Sequence, residues 1–128
     1  MVRRVVAPKG LHTAGPYSPA VQAGPLLFIS GQLPLDPASG QLLPGPIEAQ
    51  TKRCLENLNE ILSAAGGSLQ DLVKVTIYLA DMRDLEAVNR AYAEHFDLAP
   101  PARACIGVAS LPKGARIEIE AIAYLPQA

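Results

Sequence analysis

Apolar residues recur along this chain in two rhythms. Ile47, Thr51, Leu55, Leu58, Leu62 and Ala65 follow one another at steps of three and four, with Cys54 and Ile61 widening the stripe. That spacing predicts a helix over residues 47–65 with one buried face. Pro46 suits its first helical position, and Gly66-Gly67 suits its stop. Next, Val73, Val75, Ile77 and Leu79 alternate with Lys74, Thr76 and Tyr78, the period-two pattern of a half-polar strand. Leu85, Val88, Tyr92 and Phe96 return to helical spacing and predict a second helix, which Asp81 or Asp84 can cap. Ser68 followed by Asp71 resembles a capping pattern for one short turn between them.

Strand signals fill both ends. Residues 3–7 form a short strand candidate, and Val21 opens an apolar patch. Gly24-Pro25 marks a hairpin turn before a firmer strand at 26–33. Pro100-Pro101 forces an extended entry into a strand at 102–109. A last strand covers 116–125, with Ile117, Ile119 and Ala121 on one face and Glu118, Glu120 and Ile122 on the other. Residues 9–19 and 36–46 read as irregular segments. The order β-β-β-α-β-α-β-β, without repeat or linker, predicts one domain over residues 1–128. Its class is α+β, with two helices on one face of a mixed sheet. The opposite face gathers Lys74, Thr76, Tyr78, Glu118, Glu120, Ile122 and Tyr124. That set is too apolar for water and too charged for a core, so a subunit interface enclosing a polar site is expected.

Composition narrows the function classes. Half the chain is apolar at 49%, and 11 basic residues nearly balance 12 acidic ones for a net charge of −1. Near-neutrality removes the long-range attraction of a general nucleic-acid or anionic-membrane binder. The two cysteines do not form a disulfide framework. No apolar run suits a signal peptide or a membrane span, so a cytoplasmic setting is expected. His12 and His95 lack partners at metal-ligand spacing, and the glycines lack phosphate-loop or dinucleotide spacing.

Candidate chemistry gathers late in the chain. Arg103 and Cys105 open one strand, and Glu118 and Glu120 lie in the next, joined by a short Pro-Lys-Gly turn. A guanidinium and a carboxylate on neighbouring strands suit a small acidic substrate and proton handling on it. A solvated arginine, or one bridged to a surface carboxylate, is the plainer alternative. Glu118 and Glu120 share a face at a spacing of about 7 Å. Either they are solvated, or one is desolvated beside a polarised water, where burial raises its pKa and Arg103 lowers it. Cys105 shares the face of Arg103 but has no histidine near in sequence to activate it. Its backbone N–H or its packing therefore matters more than its thiolate. Tyr17 sits in the rigid Gly15-Pro16-Tyr17-Ser18-Pro19 loop and Ser30 at the end of an apolar strand; each is a candidate orienting hydroxyl or a plain turn residue. Asn89 follows core Val88 and is expected to face sideways at the surface.

Gly15-Pro16-Tyr17, Ser30-Gly31-Gln32, Gln50, Val88-Asn89 with Tyr92, Pro101-Ala102-Arg103-Ala104-Cys105, Leu111-Pro112-Lys113 and Ile117-Glu118-Ile119-Glu120-Ala121 occur in this order. Over nearly its whole length the chain thereby resembles the Rid family of reactive-intermediate deaminases, in particular its RidA group of enamine/imine deaminases. The resemblance implies a chorismate-mutase-like α+β fold in a barrel-like homotrimer, with active sites between subunits. It implies 2-iminobutanoate/2-iminopropanoate deaminase activity: hydrolysis of 2-aminoacrylate and related 2-enamino or 2-imino acids, released by pyridoxal-phosphate enzymes, to 2-keto acids and ammonia without a cofactor. It gives Arg103 the substrate carboxylate and Glu118 the water. Tyr17, Ser30 and Cys105 become pocket residues, and Asn89 and Glu120 supporting or interface residues. Ala104 departs from the serine often found there, and is expected to face away from Arg103. The competing readings are a non-deaminating small-molecule-binding or chaperone-like Rid protein and an endoribonuclease or translation inhibitor.

Overall fold

The computed structural model describes residues 3–8, 11, 13 and 15–126; His12 lies outside them. Six strands form one mixed sheet: β1 (Arg4–Val6), β2 (Ala20–Ala23), β3 (Leu26–Gln32), β4 (Leu72–Leu79), β5 (Ala102–Gly107) and β6 (Ile117–Tyr124). Two helices, α1 (Ile47–Ala64) and α2 (Leu85–Ala93), complete the regular structure. The spatial order is β1-β2-β3-β6-β4-β5. Because β6 is antiparallel to both β3 and β4, those two strands run parallel. α1 is thus the crossover between β3 and β4, and α2 the crossover into β5, which is parallel to β4. The last strand slots between β3 and β4. This is the α+β architecture expected from the sequence.

The core lies between the helices and one sheet face. Leu55, Leu58, Ile61 and Leu62 of α1 meet Leu27, Ile29, Val75, Ile77, Leu79, Ile117 and Ile119, nearly all of them fully buried. Each such side chain contributes about 1.5–3 kcal/mol through burial. Thr51, the one hydroxyl in the stripe, donates to the Ile47 carbonyl at 2.8 Å, so it is buried without loss.

The helix ends follow their residues closely. Pro46 stands at the N-cap, one position earlier than the sequence suggests, in an extended conformation with ψ 162°. At the far end Gly66 takes φ +85°, and the N–H groups of Gly66 and Gly67 reach the carbonyls of Ser63 and Leu62, a Schellman arrangement that glycine makes easy. Ser68 and Asp71 form the expected reciprocal cap on the turn Leu69–Asp71. Asp81 caps the turn Met82–Asp84 that leads into α2, whereas Asp84 gives no side-chain cap and instead accepts from Arg116. No helix among the described residues is long and apolar enough to cross a membrane.

Candidate active site

β4 divides the candidate residues into two groups. From Val75 onward its odd-numbered residues are core residues. Val73, expected to be among them, is exposed and Leu72 is buried in its place, because the register against β6 shifts between Leu72 and Lys74. In the parallel β4–β5 register Arg103 stands beside Val75 and Cys105 beside Ile77. Residues so paired project to the same side of a sheet, so Arg103 and Cys105 belong to the helix-covered face. Glu118 and Glu120 stand beside Tyr78 and Thr76, on the open face. The expectation that neighbouring strands carry Arg103 and the glutamates is therefore corrected: β4 lies between β5 and β6. Two strand spacings and the offset between Arg103 and Ile106, the residue level with Glu118, separate the Cα atoms by about 14 Å. The cause is topological, since the parallel crossover through α2 sends β5 to the edge and leaves the slot beside β4 to β6.

On the helix face, the Arg103 guanidinium donates from Nη2 to Asn89 Oδ1 at 2.7 Å and lies 4.9 Å from the centroid of the Tyr92 ring. It forms no ion pair among the described residues, which sets aside the bridge to a surface carboxylate. It is exposed, as the solvated alternative has it, but Asn89 and Tyr92 engage it. It borders a cleft of about 380 Å³ with Asn89, Tyr92, Phe96 and Pro101 in its wall. Asn89 is exposed, as expected, but its amide is engaged with Arg103. Cys105 is half-buried and packs against the core. Burial pushes its thiol pKa up, only partly opposed by Arg103 and a backbone hydrogen bond. Such a thiol is a poor nucleophile at neutral pH. Ala104 stands beside Thr76 and so points away from Arg103, as expected.

On the open face, the register of β3 against β6 slips between Ile29 and Gln32. This irregularity sets Gly31 against Glu118, where a Cβ on residue 31 would fall 2.5 Å from Oε2. Only a glycine leaves room for the carboxyl there. Burial, and secondarily the charge of Glu120, raises the Glu118 pKa. Glu120 accepts a short hydrogen bond from the Tyr78 hydroxyl, which raises the phenol's pKa in turn. Ser30 donates from Oγ to the Ser18 carbonyl at 2.7 Å, and its N–H reaches Pro19. It thereby ties down the loop bearing Tyr17, a residue that is 51% exposed and whose ring rests against Gly15. Around these groups Phe28, Ile106 and Tyr124 are exposed apolar side chains.

Among the described residues no cluster of three His, Cys, Asp or Glu is placed to hold a metal. Sequence reasoning missed two participants. Gly31 was visible inside a motif without a role, and its role depends on the slipped register. Tyr92 stands in the core stripe and in the motif with Val88-Asn89 without a role of its own, although its place three residues after Asn89 on a helix puts both on one side.

Comparison with known proteins agrees over almost the whole chain. The sequence model described as Endoribonuclease L-PSP matches residues 7–125. A RutC family protein of Pyrococcus horikoshii is 52% identical over 118 residues, 92% of this chain and 91% of the relative. The 2-iminobutanoate/2-iminopropanoate deaminase of Capra hircus is 50% identical over 124 residues, 96% of this chain and 90% of the relative. The crystal structure of RidA from an Antarctic Psychrobacter superposes with a TM-score of 0.91 at 40% identity, covering 95% of this chain and 99% of that one. The sheet order, the two helices and these similarities agree on one conclusion: the chain belongs to the Rid family, whose sequence model bears the name Endoribonuclease L-PSP.

Proposed function

We propose that this protein is a 2-iminobutanoate/2-iminopropanoate deaminase, acting on short 2-imino acids such as the tautomer of 2-aminoacrylate released by pyridoxal-phosphate-dependent dehydratases. The observation that carries this reading is the state of Arg103: a guanidinium at the rim of a cleft, held by an amide and a ring and free of any carboxylate among the described residues. A planar carboxylate is the ligand its donor geometry suits.

Water adds to the imine carbon while Glu118 takes a proton from that water. The resulting carbinolamine breaks its C–N bond as nitrogen is protonated, releasing ammonia and the 2-keto acid. No electrons are exchanged. A carboxylate whose pKa is raised is a stronger base than an ordinary one, which favours its taking the proton before returning it. Arg103 holds the carboxylate so that the imine carbon faces the water. Tyr17 and Ser30 shape the pocket wall on the Glu118 side. Cys105 forms part of the wall on the Arg103 side, and Glu120 supports the face through Tyr78.

Since one copy presents Arg103 and Glu118 on opposite faces, the site needs two copies. We assign it to a homotrimer in which the open face of one subunit meets the β5 edge of the next. The exposed Phe28, Ile106 and Tyr124 beside half-buried glutamates favour such a covered face. The two free thiols suit a reducing compartment such as the cytoplasm.

The test generates 2-aminoacrylate with a serine dehydratase and follows its decay and pyruvate formation. The wild-type protein is expected to accelerate both, and Arg103→Ala to lose most of the effect. Equal rates with and without protein reject the reading. The same preparation incubated with single-stranded RNA tests the ribonuclease reading raised by the family name; the near-neutral net charge of −1 argues against it.

A further inference from the structure

Arg103 is not a free arginine that a ligand must first immobilise. Asn89, Tyr92 and Phe96 follow at steps of three and four, so they rise along one side of α2 and its extension. The Tyr92 and Phe96 rings lie 4.6 Å apart at a tilt of 33°, and both are buried, with Tyr92 only 6% exposed. Against this fixed pair rests the exposed guanidinium, 4.9 Å from the Tyr92 ring centre, while Asn89 accepts from Nη2. A long side chain on an edge strand is thus held from two directions, and part of its ordering entropy is spent before a ligand arrives.

The donor count leaves the binding edge intact. Guanidinium carries five N–H groups, and Asn89 engages Nη2. Nη2 contributes one proton to the edge shared with Nε and one to the edge shared with Nη1. Whichever proton Asn89 accepts, the other two-donor edge stays complete for a carboxylate. Tyr92 covers one face of the plane, which favours approach at the edge. The Tyr92 hydroxyl takes no part: it is buried without a partner among the described residues. Burial, against a smaller opposing effect of Arg103, pushes its pKa up to about 12, so it remains a neutral phenol.

We propose that the Tyr92 ring, together with the Asn89 amide, is a positioning element that fixes the carboxylate-binding edge of Arg103 in advance of substrate. The proposal rests on the reading of Arg103 as the carboxylate site. It assigns the effect to the ring and not to the hydroxyl.

The experiment follows the Arg103 Nε–Hε resonance of the intact ¹⁵N-labelled protein, identified by its loss in Arg103→Lys, and titrates 2-oxobutanoate as the carboxylate probe. In the wild type this resonance is expected apart from the bulk arginine signals, shifted by the ring. Tyr92→Leu is expected to return it to the bulk position and to raise the Kd for 2-oxobutanoate about two- to fivefold, the factor corresponding to an exposed cation–π contact. KM for imine hydrolysis rises by the same factor while kcat stays within about twofold. Tyr92→Phe restores the wild-type shift and affinity. Asn89→Ala, at an exposed position, weakens binding in the same way and carries the test should Tyr92→Leu fail to fold.

Unchanged shift and affinity in Tyr92→Leu or, if that variant does not fold, in Asn89→Ala overturn the proposal. So does a Tyr92→Phe variant as impaired as Tyr92→Leu, or a wild-type protein that does not bind 2-oxobutanoate. A wild-type protein that binds 2-oxobutanoate but does not hydrolyse imines overturns the deaminase reading instead, and the resonance and titration still decide the positioning role.

Discussion

Arg103 and Glu118 face opposite sides of one sheet, with β4 between the strands that bear them. No side-chain rotation within a single copy brings a guanidinium and a carboxyl across a packed sheet. If both serve one substrate, they come from different copies. Mixing two inactive variants, Arg103→Ala and Glu118→Gln, after subunit exchange is therefore expected to restore activity. With random mixing at equal amounts, about a quarter of the interfaces combine an intact arginine with an intact glutamate, so about a quarter of wild-type turnover returns. A mixture as inactive as its components would place both groups in one subunit's site or remove one of them from catalysis.

The Glu118 carboxyl occupies the space that a side chain on Gly31 would need. Gly31 lacks the positive φ that would itself exclude alanine, so Gly31→Ala acts by contact: the new Cβ would lie 2.5 Å from Oε2 and push the carboxyl aside. Turnover is expected to fall by about two orders of magnitude, as when a general base is misplaced. The fold should be retained at a cost of about 1–3 kcal/mol. Steady-state kinetics and a denaturation curve on the same sample check both.

Glu118 also makes stability depend on pH. Its folded pKa is raised above the ordinary 4.5, first by burial and then by Glu120. The folded protein therefore holds this proton more tightly than the unfolded chain, and the penalty for ionising it grows as pH rises above about 4.5. Glu118→Gln is expected to raise Tm near pH 7 and to lose that advantage near pH 4. Thermal melts of both proteins at the two pH values decide this. A Tm gain independent of pH would contradict it.

Cys105 is expected to be slow to alkylate, because burial raises its thiol pKa. Cys105→Ala should reduce turnover by less than about tenfold, whereas a true nucleophile would cost orders of magnitude. Iodoacetamide labelling at pH 7, followed by mass spectrometry, reads the first point and steady-state kinetics the second.

Much of the fold was legible because local physics dictates it. The stripe Leu55, Leu58, Leu62 could only pack as one helix face, and the alternation of Val75, Ile77 and Leu79 could only be a strand with one buried side. Gly66, Ser68 and Asp71 ended and restarted the backbone where their chemistry requires. The motif residues Arg103, Glu118, Tyr17 and Ser30 were likewise visible as residue types suited to a small acidic ligand.

Which strand lies beside which is a different matter. Strand order depends on long-range pairing, and adjacency in sequence made β5 and β6 look like neighbours. The α2 crossover sends β5 to the sheet edge instead, and β6 takes the slot beside β4. The same long-range pairing produces the β3 slip that brings Gly31 to Glu118, and it carries Arg103 onto Asn89 and Tyr92. Sequence by itself determined the elements, their buried faces and the set of reactive groups, because these follow from neighbours along the chain. Only tertiary structure decided which groups face one another, because that follows from contacts between distant segments competing for the same sheet and core.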